Sequence, residues 1–450
     1  MLFERIVSAG ISHFSYFLAD DSYALVIDPR TDTEVYLNSA RENNLQITNI
    51  IETHRHEDFI CGSKSLAQST GAEIWHADSQ WDYGYGFPVS DGQTWNIGKL
   101  KLESIYTPGH TPGQMSYLLY DEQGDPWCVF TGDTLFAGEV GRVDLMGSDR
   151  LEEMASLLYD SIFSKLLLLG DQVIVCPAHG AGSICGRNIS NRLWTTIGLE
   201  RLHNPALQLP NKTSFIKTIA KDLEKPSYFK MMEKLNLSDQ IPEFIKPPHY
   251  PSQEFNDMIA DSLVLDTRDI SSFTTSHIPD SISIWAEGVP AYAGWFLPYD
   301  ISLFLVGSSH RIDSTLIDLF RLGYSVKGYF SEDFINWHKA GLPASSISTI
   351  TAQELKTKLD SSKSLWILDV RSHQELANEG KIPGSHHIPI TELTSQTDLI
   401  PIDRNIFIIC GSGHRSTIAA SVLLQQGPYK PVVILGGFSA WKSLKYPIEH

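Results

Sequence analysis

The stretch Thr53-His54-Arg55-His56-Glu57-Asp58-Phe59 decides how this chain is read. The apolar run before it, Ile47 to Ile51, reads as a buried strand ending at Glu52. In extended chain, side chains two residues apart point the same way. His54, His56 and Asp58 therefore converge if the backbone stays extended or turns gently. Two imidazoles and a carboxylate gathered at a strand end are the donors of a metal site. The plainer alternative is a polar loop that happens to hold two histidines.

Working outward, residues 1 to 240 alternate strands, turns and helices. Met1 to Ser15 reads as the first strand of a domain. Phe14 to Leu18 and Tyr23 to Ile27 are expected to form a hairpin across Ala19-Asp20-Asp21-Ser22, and Asp28-Pro29-Arg30 to end it. Thr33 to Asn43 and Ser63 to Thr70 read as helices. The strand Lys99 to Tyr106 delivers Thr107-Pro108-Gly109-His110-Thr111-Pro112-Gly113, a rigid loop with a histidine between two Pro-Gly pairs. Met115 to Tyr120 is another strand. Trp127 to Phe130 leads into Thr131-Gly132-Asp133-Thr134, and Val173 to Val175 into Cys176-Pro177-Ala178-His179-Gly180. Strand ends thus deliver His54, His56 and Asp58, then His110, Asp133 and His179, and such loops are where functional groups collect. Singly, His110 could bond its own loop, Asp133 could cap a turn and His179 could be a core histidine. Coincidence is a poor account of all of them, each in a glycine-flanked loop after a strand.

At 450 residues the chain is too long for one core, and two to four domains are expected. Hydrophobic residues at 42% and charged residues at 20% fit soluble globular domains. The net charge of −18, from 53 acids against 35 bases, argues against nucleic acid and anionic lipid as partners. No basic-then-apolar leader opens the chain and no apolar run reaches about 18 residues, so no membrane association is expected. Five cysteines in such a length are not a disulfide framework. The expected compartment is cytoplasmic, with reduced thiols.

The succession of motifs resembles the metallo-β-lactamase superfamily over about residues 1–240, which implies an αββα sandwich. The family's His-x-His-x-Asp-His motif stands here as His54-Arg55-His56-Glu57-Asp58-Phe59. Members with two zinc ions carry a histidine where this chain has Phe59. Phenylalanine cannot bind metal, so one metal ion per chain is expected. Phe130-Thr131-Gly132-Asp133-Thr134-Leu135-Phe136 with Gly141-Arg142-Val143-Asp144 looks like the persulfide dioxygenase branch, near glyoxalase II. The resemblance implies one iron(II) held by His54, His110 and Asp133. Two histidines and a carboxylate leave open positions for substrate and oxygen. His56, Asp58 and His179 would then be additional ligands or groups that orient the site. Arg142 would meet an anionic thiol substrate or nascent sulfite, unless it is a structural salt bridge.

Residues 200–250 say less. Leu207 to Met232 carries mixed helical signals, and Pro242, Pro247, Pro248 and Pro251 make 241–250 a stiff linker. The remainder contains an internal repeat. Leu263-Val264-Leu265-Asp266-Thr267-Arg268 matches Trp366-Ile367-Leu368-Asp369-Val370-Arg371, and Val306-Gly307-Ser308-Ser309-His310-Arg311 matches Cys410-Gly411-Ser412-Gly413-His414-Arg415. Trp337 and Trp441 lie at the same distance beyond Val306 and Cys410. Each copy reads as an α/β unit with a parallel sheet.

Cys410 falls between a buried strand, Phe407 to Ile409, and a helix, Ser416 to Gln426. Gly411 and Gly413 let backbone N–H groups turn inward as an anion nest. The helix N-terminus and Arg415 add positive potential. Together they favour a thiolate or a bound anionic sulfur. The alternative is an inert buried thiol.

These copies resemble rhodanese domains, over 251–345 and 346–450. That resemblance implies that Cys410 carries a sulfane sulfur as a persulfide. Arg415 would assist catalysis, and Gly411, Ser412, Gly413 and His414 would cradle the substrate. Asp369-Val370-Arg371 and Gly436-Gly437-Phe438-Ser439-Ala440-Trp441 read as structural. Val306 has no nucleophile, so the first copy is expected to be an inactive spacer or docking surface.

The whole chain resembles persulfide dioxygenase–sulfurtransferase fusions. The implied substrates are a small-molecule persulfide, O2, and sulfite or thiosulfate, in a role such as sulfide detoxification. Two rivals stay open: a zinc thioester hydrolase of glyoxalase II type, with Zn(II) in place of iron, and a non-catalytic persulfide carrier or sensor. The sequence does not name the thiol carrier, and a homo-oligomer is compatible with it.

Overall fold

A computed structural model describes residues 1–450 apart from 9, 187 and 362–364. The chain divides into two compact units, Met1–Phe244 with Arg321–Gly323, and Ile245–Phe320 with Tyr324–His450.

In the first unit two six-stranded sheets face each other. One runs in chain order: Leu2–Ser8, His13–Asp20, Tyr23–Ile27, Gln46–Glu52, Glu73–His76, Phe87–Pro88. The other is ordered Thr195–Thr196, Ile174–Pro177, Pro126–Gly132, Met115–Tyr120, Leu100–Tyr106, Thr94–Ile97. Alternation within strands decides which side chains go where. Tyr16 and Leu18 pack between the sheets with Ile51, Tyr117 and Phe130. Phe17 and Ala19 face the other way, toward Tyr36 and Ala40 of the helix Glu34–Glu42 and Leu66 of the helix Ser63–Thr70. Across the second sheet, Val129 and Val175 pack on Leu158 and Ile162 of the helix Leu151–Ser164 and on Phe215 of Lys212–Ile219. The result is a helix–sheet–sheet–helix sandwich, buried on three interfaces. The segment read as one opening strand is two: Leu2–Ser8 and His13–Asp20 pair antiparallel around a turn that includes residues 10–12. The mixed signals of 207–232 resolve into Lys212–Ile219 and Phe229–Leu237.

In the second unit the repeat is visible in the topology. A parallel sheet ordered Ile282–Ser283, Leu263–Asp266, Leu303–Val306, Val326–Phe330 belongs to the first copy. The second copy has the same order, His386–His387, Trp366–Asp369, Asn405–Ile409, Lys430–Leu435, with Ser348–Thr351 added at the edge. Side chains repeat as well. Arg268 forks onto Asp266 and Arg371 onto Asp369. Trp337 and Trp441 are both buried and donate Nε1–H to the carbonyls of Pro343 and Pro447, each at 2.8 Å. Within this unit, the end of the proline-rich segment is pinned to a strand: Tyr329 N–H donates to Pro248 O and Tyr250 N–H to Tyr329 O.

Candidate functional site

The strand Gln46–Glu52 stops one residue short of Thr53, and Asp28 takes over. Its carboxylate accepts from Thr53 N–H at 2.7 Å and Thr53 Oγ1–H at 2.8 Å, and it faces His56 Nε2 at 3.1 Å. Asp78 performs the same service between loops. It accepts from Arg55 N–H, from Thr111 Oγ1–H and from Gly113 N–H. The His54 and His110 loops are thereby tied together. Gly109 has φ +145°, and a Cβ there would run into Leu158, so the loop needs glycine.

Three atoms converge in this frame. His54 Nε2 lies 3.7 Å and His110 Nε2 lies 3.4 Å from Asp133 Oδ2. All three are buried and lack a hydrogen-bond partner among the described residues. Their other atoms are engaged. His110 Nδ1–H donates to the Arg142 carbonyl at 2.9 Å, and His54 Nδ1 meets Thr53 Oγ1 at 2.9 Å. The Thr53 hydroxyl is committed to Asp28, so His54 Nδ1 donates and its Nε2 keeps a lone pair. Burial holds His54 well below the usual histidine range and lowers His110, despite the pull of Asp133 on each. Both are therefore neutral imidazoles with bare Nε2 atoms. Burial opposes ionisation of Asp133, yet His179, His54 and His110 draw its pKa well below normal. Spacings of 3.4 and 3.7 Å suit donors sharing one ion about 2 Å away. These residues fit a divalent metal.

His179 is different. Its Nδ1 faces Asp133 Oδ1 and its Nε2 faces Asp58 Oδ2, both at 2.8 Å. Burial disfavours its charge, but Asp133 and Asp58 raise its pKa well above normal. It lies between two carboxylates that favour its charged form. His56 is likewise raised, against burial, by Asp28. Phe59 is buried, with its ring 4.0 Å from His13 and 4.6 Å from His56. Apolar carbon thus occupies the place next to Asp58 and His56.

Arg142 is placed as the structural alternative would have it. Its guanidinium grips Asp144 through Nε and Nη2, both at 2.7 Å, and donates to the carbonyls of Leu223 and Glu224. It edges a cleft of about 320 Å³ with Val140, Gly141, Leu209, Ile219 and Lys221, but its charge is already matched by Asp144. Gly141 connects the cleft to the cluster, because a Cβ there would strike the Asp133 carbonyl and crowd His110 Cβ.

Two further groups reach the same atoms. A Glu57 carboxylate oxygen lies within 4.8 Å of ligand atoms of His54 and His110. Cys185 Sγ lies within 4.8 Å of ligand atoms of Asp58 and His179, and of His110 and Asp133. Glu57 is paired with Arg55 at 3.0 Å, and burial pushes its carboxyl up to about 8.

The second unit holds a separate arrangement. Cys410 is buried at the end of the strand Asn405–Ile409, and Gly413 N–H donates to its Sγ at 3.0 Å. Gly413 has φ +115° and opens the helix His414–Gln426. Ser412 Oγ meets His414 Nδ1 at 3.0 Å. Phe438 N–H donates to the Cys410 carbonyl and Ser439 N–H to that of Gly411. A Cβ on Gly437 would strike the Cys410 carbonyl, which accounts for the Gly-Gly pair. Arg415 is not a free charge. Its two Nη atoms donate to the two carboxylate oxygens of Glu375, each at 2.6 Å. The first copy has buried Val306 at the equivalent strand end, yet it adds to this site. Its Trp285 ring lies 4.6 Å from His414 and 5.5 Å from Tyr292. Burial raises the Tyr292 phenol, while the nearby Arg415 lowers it.

Known proteins match both units. The metallo-beta-lactamase superfamily model covers residues 9–179, and the rhodanese-like domain model covers 351–444. The mitochondrial persulfide dioxygenase of Bos taurus is 30% identical over 223 residues, 47% of this chain and 78% of that protein. The chain belongs to the metallo-beta-lactamase superfamily. It carries a rhodanese-like domain at its C-terminal end. Among other members, a hydroxyacylglutathione hydrolase of Haemophilus influenzae is 28% identical over 222 residues, 45% of this chain and 95% of that protein. The crystal structure of a metallo-beta-lactamase from Staphylococcus aureus superposes with a TM-score of 0.65 at 29% identity, covering 74% of this chain and 99% of that one.

Seen as a superfamily member, the chain has supporting residues that its sequence did not advertise. Asp28 carried a turn signal only, Asp78 was not singled out, and Glu57 sat unremarked between His56 and Asp58. Cys185 follows His179 by six residues, and its only signal was a thiol in the same glycine-rich loop. Glu375 could have been found from Ser372 three residues earlier, the pattern of a capping box.

Proposed function

We propose that the chain oxidises the terminal sulfur of a low-molecular-weight persulfide to sulfite at one iron(II). In the same reading, Cys410 moves sulfane sulfur between persulfide, sulfite and thiosulfate. The observation that carries this is the bare trio His54 Nε2, His110 Nε2 and Asp133 Oδ2, with Phe59 standing where a second ion would need a ligand. Such a trio leaves positions for substrate and oxygen. Iron(II), when bound, supplies the redox chemistry that brings dioxygen to the sulfur. The balance is R–S–SH + O2 + H2O → R–SH + H2SO3. His179 keeps Asp133 ionised and aimed, while Asp28 and Asp78 hold the histidine loops. The cleft beside Gly141 is of a size for part of a small thiol carrier. Glutathione, coenzyme A and other thiols all remain candidates for that carrier.

In the second half, the Cys410 thiolate attacks the outer sulfur of a persulfide. The S–S bond to the carrier breaks, and its electron pair leaves as the carrier thiolate. Sulfite then attacks the outer sulfur on Cys410, giving thiosulfate and returning the thiolate. The same residues permit the reverse transfer. Similarity to the Bos taurus persulfide dioxygenase supports the first half, and the rhodanese-like match supports the second.

A second reading, zinc-dependent thioester hydrolysis, is favoured by one observation. Cys185 offers a soft thiol beside the cluster, and zinc accepts sulfur readily. Metal analysis of anaerobically purified protein, with oxygen uptake and thioester cleavage measured on the same sample, tests both. About one iron per chain and persulfide-dependent oxygen uptake support the proposal. Zinc with thioester cleavage, or metal without turnover, defeats it.

A further inference from the structure

We propose that Glu375 sets the anion affinity of the Cys410 pocket by compensating the charge of Arg415. Anions then meet the backbone N–H groups and an aromatic wall rather than a free guanidinium, and a dianionic product such as thiosulfate is released instead of retained. The inference rests on Cys410 being the sulfur-carrying thiol.

The geometry is specific. Arg415 makes a two-pronged contact with Glu375, 2.6 Å on each side. Such a fork fixes orientation as well as charge. Glu375 is itself held from behind. It is the third residue of the helix His373–Glu379, its N–H donates to Ser372 Oγ at 3.2 Å, and its Oε2 accepts from Ser372 N–H at 2.8 Å. The carboxylate cannot swing away without breaking that cap. Arg415 Nη2 meanwhile lies 3.2 Å from where a Cβ on Gly411 would stand, so the guanidinium is set against the thiol loop. Burial works against ionisation of Glu375, but Arg415 and the Ser372 N–H bring its carboxyl down to about 2, so the pair stays charged and matched. The remaining wall, Trp285 and Tyr292 from the first copy, carries no formal charge near neutrality. Among the described residues, the donor placed on Sγ is Gly413 N–H.

Glu375→Gln tests this in the full-length protein. Glutamine preserves the capping box, so the helix is retained; the melting temperature checks it. Alkylation of Cys410 is followed on its own peptide by mass spectrometry, with iodoacetate as anionic probe and iodoacetamide as neutral probe. Unmasking one positive charge a few ångströms away should raise the iodoacetate-to-iodoacetamide rate ratio on the order of tenfold. Glu375→Asp should stay near the wild-type ratio. Glu354→Gln, which removes a carboxylate that accepts from Thr351, should not move it. An unchanged ratio in Glu375→Gln means that the Arg415 charge does not reach the thiol. A lowered ratio means that Glu375 aims Arg415 at the anion. Either result overturns the proposal. The alkylation needs no persulfide, iron or oxygen, so it stands or falls apart from the overall reaction.

Discussion

At the scale of single residues, the metal centre depends on which nitrogen is bare. His54 and His110 each spend Nδ1 on an oxygen and leave Nε2 facing Asp133. Loss of an outer partner typically weakens a metal site 10- to 100-fold, so loss of a direct donor should cost more than about 100-fold. His110→Ala and Asp133→Ala should therefore lose bound iron and oxygen uptake together. Retention of iron and full turnover by either would remove it from the ligand set. Phe59 works in the opposite sense, by filling space. Phe59→His should raise zinc content above that of the wild type without faster persulfide oxidation, because it returns a donor beside Asp58 and His179. Unchanged metal stoichiometry would show that something else keeps the second ion out. The histidines were legible in the sequence because each sits in a local motif at a strand end. Cys185 and Asp78 were not, because their importance lies in contacts made across loops.

Among elements, the short helix His373–Glu379 bears most directly on chemistry. Its cap residue Ser372 and its third residue Glu375 join the helix start to the Cys410 loop through Arg415. This coupling has a pH signature. The Glu375 carboxyl falls from an ordinary 4.5 to about 2 in the folded chain, with burial opposing and the Arg415 contact driving the shift. A depressed carboxyl stabilises the fold above its unfolded pKa, and that contribution disappears as pH falls through the folded pKa. The wild type should accordingly lose melting temperature between about pH 4.5 and 2 relative to Glu375→Gln, and the two curves should draw together at the acid end. Parallel curves across that window would mean that the ion pair adds nothing to stability. Partial exposure of both partners keeps the effect modest. Most helices and strands were readable from periodicity and turn residues. The opening strand was misjudged because its break at residues 10–12 lies inside a continuous β pattern.

For the whole molecule, the two chemistries use no residue in common. The metal cluster belongs to the first unit and the thiol loop to the second. Cys410→Ser should leave oxygen uptake and sulfite production largely intact. Thiosulfate formation and thiosulfate-to-thiol transfer should fall by a factor on the order of a thousand or more, since serine cannot carry a sulfane sulfur. An oxygen electrode and a thiosulfate assay on the one variant decide it. Equal loss in both would mean that a persulfide on Cys410 feeds the metal site. In the first copy, Ser308→Ala should do little, because its strand ends in Val306 and offers no nucleophile. That copy is nonetheless more than a spacer within its unit, since Trp285 and Tyr292 stand beside the Cys410 loop.

The sequence by itself determined the alternation of strands and helices, the repeat, and the motifs around His54, His110, Asp133 and Cys410; the likeness to known families that these motifs carry is what implied the sandwich. These are local facts: strand periodicity, glycine and proline at turns, and reactive side chains placed where strands stop. Only the tertiary structure decided the charge state of the sites. It showed His179 set between the carboxylates of Asp58 and Asp133, Arg142 matched by Asp144, and Arg415 matched by Glu375. It also brought Cys185 and Glu57 to the metal cluster and Trp285 to the thiol loop. The physical reason is that a charge or a lone pair acts through distances of a few ångströms. Partners such as Arg415 and Glu375, 40 positions apart in the chain, reach that separation only once the sheets and helices have packed.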